Sequence, residues 1–323
     1  MTTLHDVVES VTRIIDPVYL VGGSVRDALM GGASTDFDFA TPHDPDFIEA
    51  AVRAAGRRPY LMGKRFGTVA FKLDESTIEI TTFRSESYRA DSRSPSVEFL
   101  QDLGQDLGRR DFTINAMAMH GDELIDLCGG RDDLEARLVR AVGDPAERFL
   151  EDPLRMLRAA RFVSQLDFAV DEATDRAIAA HAHRILSAAR ERWMLELDRL
   201  LVGPGVGNAL YLLANTGLMR YLLPEVGLQC GLGEEPQHAS PTLFDRTVEA
   251  VASAANEPTA RWAALLHDAA IPFIATGTDS AAAEVVERDR SLLGAELVER
   301  TALYLKWSNQ RREDVMCLVS ERT

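Results

Sequence analysis

The stretch DFDFA at residues 36–40 alternates acidic and apolar side chains, which is typical of a strand with one buried face. Alternation places the carboxylates of Asp36 and Asp38 on the same face of that strand. Two neighbouring carboxylates repel each other unless a cation neutralises them. The pair therefore indicates a metal site, whereas an isolated Asp-x-Asp would more simply be a solvated strand edge.

A third carboxylate lies in a second β-rich run, TIEIT at residues 77–81. If this strand lies beside the first, the oxygens of Asp36, Asp38 and Glu79 converge. Hard oxygen ligands with open coordination positions suit Mg²⁺, which binds carboxylates together with substrate phosphates. We therefore expect these three residues to be catalytic, with Asp36 and Asp38 as ligands of Mg²⁺.

The stretch GGSVRD at residues 22–27 lies upstream, between an apolar strand and a helix. Glycines at such a junction let the backbone approach a phosphate, and the helix N-terminus adds its dipole. Arg26 can reach the same anion. The alternative is that the two glycines only make a tight turn.

A further basic motif is RRDFTINAMA at residues 109–118. The pattern predicts that Arg109, Arg110 and Asp111 open an apolar helix. Arginine at a helix N-terminus opposes the helix dipole, and a bound anion would relieve that conflict. The alternative is a charged helix N-terminus without a ligand.

The stretch EDPLRMLRAARF at residues 151–162 predicts a helix that Asp152 caps and whose first turn holds a proline. Arg155, Arg158 and Arg161 follow at intervals of three and form one stripe. This stripe either faces a nucleotide or is a solvated basic face, and the segment alone leaves both possibilities open.

The pair of Asp152 and Arg155 suits a particular set of bases. Aspartate offers only acceptors and arginine only donors. Cytosine and adenine each present an amino donor beside a ring acceptor, and both match that pair. Uracil and guanine present a carbonyl beside an N–H and are mismatched at both positions. One fixed pair can therefore accept C and A while rejecting U and G.

The composition is that of a globular protein of 323 residues, 46% of them hydrophobic, with a net charge of −16. Such a charge argues against a protein that coats nucleic acid non-specifically. No apolar run is long enough for a membrane span, and no signal peptide is visible, so no membrane partner is expected. The distant cysteines Cys128, Cys230 and Cys317 suggest reduced thiols and a cytoplasmic location.

The pattern of the chain changes near Gly143, from mixed α/β to almost entirely helical. The predicted fold class is therefore α+β, a mixed-sheet N-terminal head followed by an all-helical remainder. Residues 84–96 are polar and predict a mobile loop. Residues 276–283 are rich in small side chains and predict a second loop.

Four of these motifs, at residues 22–27, 36–38, 109–116 and 151–155, resemble in order and spacing those of class II CCA-adding enzymes and bacterial poly(A) polymerases. These proteins belong to the polymerase-β-like nucleotidyltransferase superfamily. The resemblance extends from about Val18 to about Pro224. It implies a nucleotidyltransferase head at residues 1–142, a helical neck at 143–203 and a helical body at 204–323.

The resemblance also assigns roles. Asp36 and Asp38 would hold the metals with Glu79 as third carboxylate, Asp152 and Arg155 would read the base, and residues 84–96 would match a flexible loop tied to switching from CTP to ATP. The residues expected at the nucleotide are Gly22, Gly23, Ser24, Arg26, Arg110, Asp111, Asn115, Asp152, Arg155, Arg158 and Arg161.

Two regions refine the resemblance. GKRFGTV at residues 63–69 resembles the CCA-adding form, in which Gly-Thr follows the phenylalanine, rather than the poly(A) polymerase form. WAALLHD at residues 262–268 resembles the His-Asp core of metal phosphohydrolases, but Arg246 stands where a histidine would be expected downstream of His238. The shortened body is therefore expected to carry a degenerate His-Asp-like segment, with His267 and Asp268 buried or capping.

The activity implied is template-independent addition of CCA to the 3′ end of tRNA from CTP and ATP. The RNA 3′-OH would attack the α-phosphate and release pyrophosphate. One alternative is a CC-adding, A-adding or poly(A) polymerase member of the same family. Another is a truncated, inactive RNA-binding paralogue, whose sign would be lost carboxylates.

Overall fold

The computed structural model describes residues 3–32, 35–87, 96–231, 241–274 and 280–320. The chain divides into two compact units, Met1–Glu151 and Asp152–Thr323. The first contains the sheet. The second is helical in its described residues, apart from one two-residue strand. The predicted α+β class, a mixed-sheet head followed by helices, is confirmed.

The strands of the first unit are β1 (Tyr19–Val21), β2 (Asp36–Thr41), β3 (Thr68–Leu73), β4 (Ser76–Thr82), β5 (Arg84–Ser87), β6 (Ser96–Phe99), β7 (Met117–His120), β8 (Glu123–Asp126) and β9 (Leu138–Val139). Its helices are α1 (Leu4–Ile14), α2 (Gly23–Leu29), α3 (Pro45–Ala54), α4 (Leu103–Gly108), α5 (Gly130–Glu135) and α6 (Pro145–Glu151). Two 3-10 turns, Lys64–Phe66 and Thr113–Asn115, connect them.

The main sheet has six strands in the order β3-β4-β2-β1-β7-β8. The central pair β2 and β4 is parallel, and the neighbouring pairs are antiparallel, so the sheet is mixed. Alternation gives it two different faces. On one face, apolar side chains such as Phe39 and Ile80 pack with Val11 of α1 and Ile48 of α3. The opposite face carries the acidic residues of β2.

Helix α4 covers one end of the acidic face. Its buried Leu107 packs in a second, smaller cluster with Val21, Ala40 and Ala118 of the three neighbouring strands. The apolar side of this short helix is thus buried against the sheet. As a result, the C-terminal end of α4, where the two arginines of the 109–118 motif follow, stands beside the acidic face.

The first unit extends past the predicted end of the head at residue 142 and includes α6. The reason is packing: Phe149 of α6 is fully buried, and Arg148 Nη1 donates to the carbonyl of Gly108 at 3.4 Å. The unit therefore ends at Glu151. The further division into neck and body at residue 203 stays a prediction.

The predicted loop at residues 84–96 is only partly a loop. Its ends form β5 and β6, which pair antiparallel with Arg84 opposite Phe99. The main chain fixes the base of this hairpin, because Leu100 N donates to the carbonyl of Phe83 at 2.7 Å. Residues 88–95 lie outside the described residues, so a mobile loop there stays a prediction.

The second unit contains α7 (Leu154–Leu166), β10 (Ala169–Val170), α8 (Glu172–His181), α9 (Arg190–Leu201), α10 (Val206–Asn215), α11 (Met219–Leu222), α12 (Pro224–Gly227), α13 (Leu243–Ser253), α14 (Pro258–Leu266), α15 (Ser280–Leu305) and α16 (Asn309–Ser320). Helix α7 packs against α9 and α10. Of the predicted loop at 276–283, the last four residues are instead the start of α15, and 276–279 lie outside the described residues. Across the described ranges, no helix has the combined length and apolar character needed to cross a bilayer.

Candidate active site

The three predicted carboxylates lie on one open face of the sheet. Strands β2 and β4 run parallel in a register that pairs Asp38 with Glu79 and Asp36 with Thr77. Asp36, Asp38 and Glu79 are exposed, while the residues between them along each strand are buried in the core. Paired residues of adjacent strands point to the same face. The structure therefore brings together the three side chains that the sequence singled out.

The pKa values of Asp38 and Glu79 are both raised within this group. Loss of hydration raises the pKa of Asp38, Asp36 raises it further, and the nearby Arg110 opposes both effects. Burial also raises the pKa of Glu79, with additional repulsion from Asp38 and Asp36. A bound cation would relieve this repulsion. The donor set of carboxylate oxygens suits a hard divalent ion.

The described residues do not by themselves form a complete metal cage. Within the described ranges, no three His, Cys, Asp or Glu side chains are already arranged to enclose an ion. A divalent ion held by two carboxylates takes its further ligands from waters and substrate phosphates. Asp36 and Asp38 are thus suited to hold an ion whose remaining ligands come from the substrate.

The glycine turn lies beside these carboxylates. Gly22 has φ +68°, and a Cβ there would come within 2.8 Å of Arg110 Nη1, so only glycine fits without strain. Helix α2 begins at Gly23, and the buried Ser24 Oγ accepts a hydrogen bond from the Asp38 backbone N at 3.0 Å. The turn therefore fixes the position of β2 as well as presenting a helix N-terminus near the acidic face.

Three other predicted nucleotide-site residues form one hydrogen-bonded network. Arg26 Nη1 donates to Asn115 Oδ1 at 2.8 Å, and Asn115 Nδ2 donates to Asp111 Oδ1 at 3.3 Å. Arg26 also forms an ion pair with Asp27 at 2.7 Å. The structure thus joins the 22–27 motif to the 109–118 motif, with Asn115 as the link.

The predicted helix at residues 109–118 is wrong. Arg109 follows the end of α4, and the chain continues through the 3-10 turn into β7, which pairs with β1 and β8 in the sheet. Burial in the sheet overrides the helical propensity of the alanines and methionines at 116–119. The arginines therefore stand at a helix C-terminus, where positive charge is favourable. The dipole conflict that suggested an anion does not exist.

Asp106 orients the two arginines, and sequence reasoning missed it. This carboxylate is 1% exposed and accepts from Arg109 Nη2 at 2.7 Å, Arg110 Nη2 at 3.0 Å and Arg84 N at 3.2 Å. Burial alone would raise the pKa of Asp106, but Arg110 and Arg109 outweigh it and lower the pKa. The spacing of Asp106 from Arg109 and Arg110, three and four residues, was the available signal.

Arg110 retains capacity for a further acceptor. Its Nε is buried and has no hydrogen-bond partner among the described residues. A buried donor without an acceptor is costly, and a phosphate oxygen would satisfy it. This unsatisfied donor supports binding of an anion at Arg110, although the helix dipole does not.

In the second unit, Asp152 both caps a helix and pairs with an arginine. Its Oδ1 accepts from Leu154 N at 3.0 Å, and its Oδ2 accepts from Arg192 Nη2 at 2.8 Å. The predicted cap is displaced by one residue, because Pro153 stands at the N-cap of α7 and Asp152 binds the N–H of Leu154 from the position before it. Arg155 is half-buried one turn further along α7. Arg192, on α9, was not singled out by the sequence because its partner is forty residues away.

Arg158 and Arg161 share one carboxylate of α9. Arg161 Nε donates to Glu196 Oε2 at 2.5 Å, and Arg158 Nη1 lies 3.6 Å from Glu196 Oε1. Arg161 is buried and its guanidinium lies 3.9 Å from the ring centroid of Phe162. The structure thus gives Arg161 an internal ion pair, and contact of either arginine with a triphosphate stays a prediction.

The His-Asp segment forms an ion-paired cluster. His267 Nδ1 lies 2.8 Å from Asp268 Oδ1, and Arg290 of α15 binds the same carboxylate oxygen. Burial would raise the pKa of Asp268, but His267 and Arg290 outweigh it and lower the pKa to about 2. The carboxylate of Asp268 is thus already neutralised by a guanidinium. His238 lies outside the described residues.

Two family profiles match the chain. The poly A polymerase head domain matches residues 18–140, and the probable RNA and SrmB-binding site of polymerase A matches residues 167–228. A CCA-adding enzyme of Bacillus licheniformis is 45% identical over 206 residues, which cover 63% of this chain and 51% of that protein. Residues 18–140 of this chain therefore form a poly A polymerase head domain. Divalent metal ions are typical of this nucleotidyltransferase family.

Other CCA-adding enzymes are similar to this chain in sequence and in structure. A CCA-adding enzyme of Levilactobacillus brevis is 48% identical over 206 residues, covering 63% of this chain and 51% of that protein. The crystal structure of Bacillus stearothermophilus CCA-adding enzyme in complex with CTP superposes with a TM-score of 0.65 at 29% identity, covering 99% of this chain and 78% of that one. The chain spans about half the length of the curated relatives that it matches.

Proposed function

We propose that this chain adds C, C and A to the 3′ end of tRNA from CTP and ATP and releases pyrophosphate. The observation that carries the proposal is the in-register pairing of Asp38 with Glu79 on the open face, with Asp36 beside them and Arg110 close by. The CCA-adding enzymes among its relatives support the choice of reaction. Its cysteines are free, which supports a cytoplasmic site of action.

The head would supply charge and position. Asp36 and Asp38 would hold Mg²⁺, which when bound neutralises the triphosphate and activates the attacking 3′-OH. Arg110, oriented by Asp106, would donate to a phosphate oxygen through its unsatisfied Nε. The Gly22–Gly23 turn would let main-chain N–H groups approach the same phosphates at the start of α2. No residue needs to become covalently attached, because positioning and charge stabilisation suffice for nucleotidyl transfer.

The second unit would choose the base. Asp152 would accept the amino group of C or A, and Arg155 would donate to the neighbouring ring nitrogen. In the structure both oxygens of Asp152 are engaged, by Leu154 N and Arg192. Reading a base therefore requires that Oδ2 be shared between Arg192 and the amino group or released from Arg192. Oδ1 can continue to cap the helix.

The Gly-Thr that follows Phe66 resembles the CCA-adding form and supports CCA addition over poly(A) synthesis. Gly67 has φ +92°, and a Cβ there would come within 2.9 Å of the Phe99 ring. The left-handed backbone and this close approach therefore favour glycine at position 67. The paralogue alternative is disfavoured because all three carboxylates are present and in register.

The decisive experiment supplies the purified chain with tRNA that lacks its 3′ CCA and with each labelled NTP alone or in pairs. Product sizing should show two additions with CTP and three with CTP plus ATP. A long ladder with ATP alone would instead indicate a poly(A) polymerase. Two additions with CTP that ATP does not extend would indicate a CC-adding enzyme, and no incorporation at all would contradict nucleotidyl transfer.

A further inference from the structure

The carboxylates continue across the sheet in two rows of directly paired residues. The first row runs from Asp38 to Glu79, then to Ala70 of the edge strand β3, and then to Tyr60, which pairs with Ala70 outside it. Residues that pair directly project to the same face. Tyr60 therefore stands on the open face with the carboxylates, three strand spacings or about 14 Å from Asp38.

The second row lies alongside the first. It runs from Asp36 to Thr77 and then to Lys72, again through direct pairs. Lys72 is exposed, and its Nζ donates to Thr77 Oγ1 at 2.8 Å rather than to a carboxylate. A cation and an aromatic ring thus stand side by side at the outer edge of the acidic face.

The surface between the carboxylates and the ring is open and polar. Ala70 contributes only a methyl group between Glu79 and Tyr60, and the Tyr60 side chain is 49% exposed. The two residues before Pro59, Arg57 and Arg58, are also exposed. In a chain with net charge −16, this local combination of positive charge and an exposed ring is suited to a polyanion carrying bases.

The hairpin limits this surface on one side. Thr68 Oγ1 and Thr81 Oγ1 lie 2.9 Å apart in the next row, and Arg84 Nη1 reaches Thr68 Oγ1 at 3.4 Å and the carbonyl of Phe66 at 2.5 Å. The row beyond Ala70 is therefore covered by β5. The way out from the carboxylates on this side of the sheet passes over Thr77, Lys72, Ala70 and Tyr60.

We propose that this strip, the outer track, binds the single-stranded nucleotides that precede the RNA 3′ end. The Tyr60 ring stacks on a base, and Lys72 contacts a backbone phosphate. Stacking tolerates any base, which suits an end whose identity changes with each addition. The proposal rests on the proposed function, because continuity with the carboxylate rows is what selects RNA as the occupant.

Substitution of Tyr60 tests the stacking contact. Tyr60→Ala should raise KM for tRNA lacking its 3′ CCA roughly 5- to 100-fold, the range expected for one lost base–aromatic stack. The KM for CTP and the kcat at saturating RNA should stay at wild-type values. Tyr60→Phe keeps the ring and should restore the KM for RNA.

Phe47→Ala is the matched control. Phe47 is 48% exposed, like Tyr60, but it lies on α3, which covers the opposite face of the sheet, and it stacks on His43 at 4.2 Å. Its loss should leave the KM for RNA unchanged. Equal effects of Phe47→Ala and Tyr60→Ala would show a general loss of structure and contradict the outer track.

Substitution of Lys72 tests the phosphate contact. Lys72→Ala should weaken RNA binding and reduce the slope of log affinity against log salt by about 0.7, as for one lost contact to a single strand. Lys72→Arg should retain both values. Equilibrium binding of tRNA lacking its 3′ CCA, followed by fluorescence anisotropy, measures this without any turnover.

The two proposals can fail separately. If the wild type adds nucleotides but Tyr60→Ala and Lys72→Ala bind RNA as tightly as it does, the outer track is wrong and the proposed function stands. If the wild type adds none, the proposed function is wrong, and unchanged binding by both variants would reject the track as well. Weaker binding by both variants, with normal binding by Phe47→Ala, supports the track.

Discussion

Acidic residues of the head have pKa values shifted in opposite directions by their environments. Asp38 and Glu79 have raised pKa values because they lose hydration and repel each other across paired strands. Asp106 has a lowered pKa because Arg110 and Arg109 surround it. A bound cation would stabilise the ionised form of the first group, whereas Asp106 is already paired with Arg109 and Arg110. Removal of a carboxylate should therefore have opposite effects on folding in the two places.

Asp106→Ala should cost stability and phosphate binding together. The change leaves Arg109 and Arg110 without their shared carboxylate, and breaking such a buried pair costs on the order of 3 kcal/mol. Because Arg110 is no longer oriented, KM for CTP should also rise. Urea unfolding and steady-state kinetics measure the two effects. An Asp106→Ala protein with wild-type stability would show that the ion pairs contribute nothing.

Base choice should depend on the charge of Asp152. Asp152→Asn keeps a helix-capping oxygen but presents an amide donor as well. If the pair with Arg155 reads the base, this variant should lose discrimination of CTP and ATP against UTP and GTP by roughly ten- to a hundredfold, the scale of ~1–3 kcal/mol per bidentate contact.

The measurement for Asp152 is kcat/KM for all four NTPs with the wild type, Asp152→Asn and Asp152→Ala. The unfolding free energy of Asp152→Asn serves as the control for the cap. Full CTP and ATP selectivity in Asp152→Asn would mean that Asp152 acts only at the N-terminus of α7, and the base-reading role would be wrong.

Among the elements, those with a regular pattern were predictable from sequence. Strict alternation at 36–40 and 77–81 predicted two strands. Because alternate side chains point to opposite faces of a sheet, the apolar residues mark the buried face and the acidic residues mark the open one. The helix predicted at 109–118 was wrong. Its alanines and methionines favour a helix, but pairing of β7 with its neighbours in the sheet makes this segment a strand. Arg192 was missed because its partner Asp152 is forty residues away. Asp106 lies only three and four residues before its arginines, and its burial in the fold is what distinguishes it from an ordinary surface carboxylate.

Gly67→Ala tests how the hairpin is seated on the 63–69 stretch. The substitution forces alanine to φ +92° and drives its Cβ against Phe99. Gly56→Ala is the matched control, because Gly56 has φ +72° but open space around a Cβ. The control should cost about 1–2 kcal/mol for left-handed backbone alone, and Gly67→Ala should cost measurably more.

A double variant isolates the contact with the ring. Phe99→Ala in the Gly67→Ala background should recover the excess cost and leave only the backbone strain. Thermal unfolding of the wild type, Gly56→Ala, Gly67→Ala and the double variant provides the comparison. Equal destabilisation by Gly56→Ala and Gly67→Ala would show that Phe99 does not press on Gly67.

At the scale of the whole molecule, the stability of the second unit should depend on pH through an ion-paired carboxylate. In the second unit, Asp268 is held between His267 and Arg290 with a pKa of about 2. A carboxyl group with a lowered folded-state pKa stabilises the fold above its unfolded pKa of about 4 and loses that contribution as pH falls toward 2. The wild type should therefore lose about 2 kcal/mol between pH 5 and pH 2 through this group.

Asp268→Asn provides the comparison for that loss. The free energy of unfolding of the variant should change less with pH, so the difference between the two proteins should narrow as the pH falls from 4 to 2. Urea unfolding at a series of pH values measures it. A constant difference across the range would show that Asp268 has an ordinary pKa in the folded protein.

We propose that Asp36 and Asp38 form the metal-dependent centre of a CCA-adding enzyme. The most direct measurement sizes the products made from tRNA lacking its 3′ CCA, with CTP, ATP and Mg²⁺, by the wild type and by Asp38→Ala. The wild type should add three nucleotides. Asp38→Ala should add none while unfolding at the same or a higher temperature, because it relieves the repulsion with Asp36 and Glu79. Near-normal addition by Asp38→Ala, or no addition by the wild type, would contradict the claim.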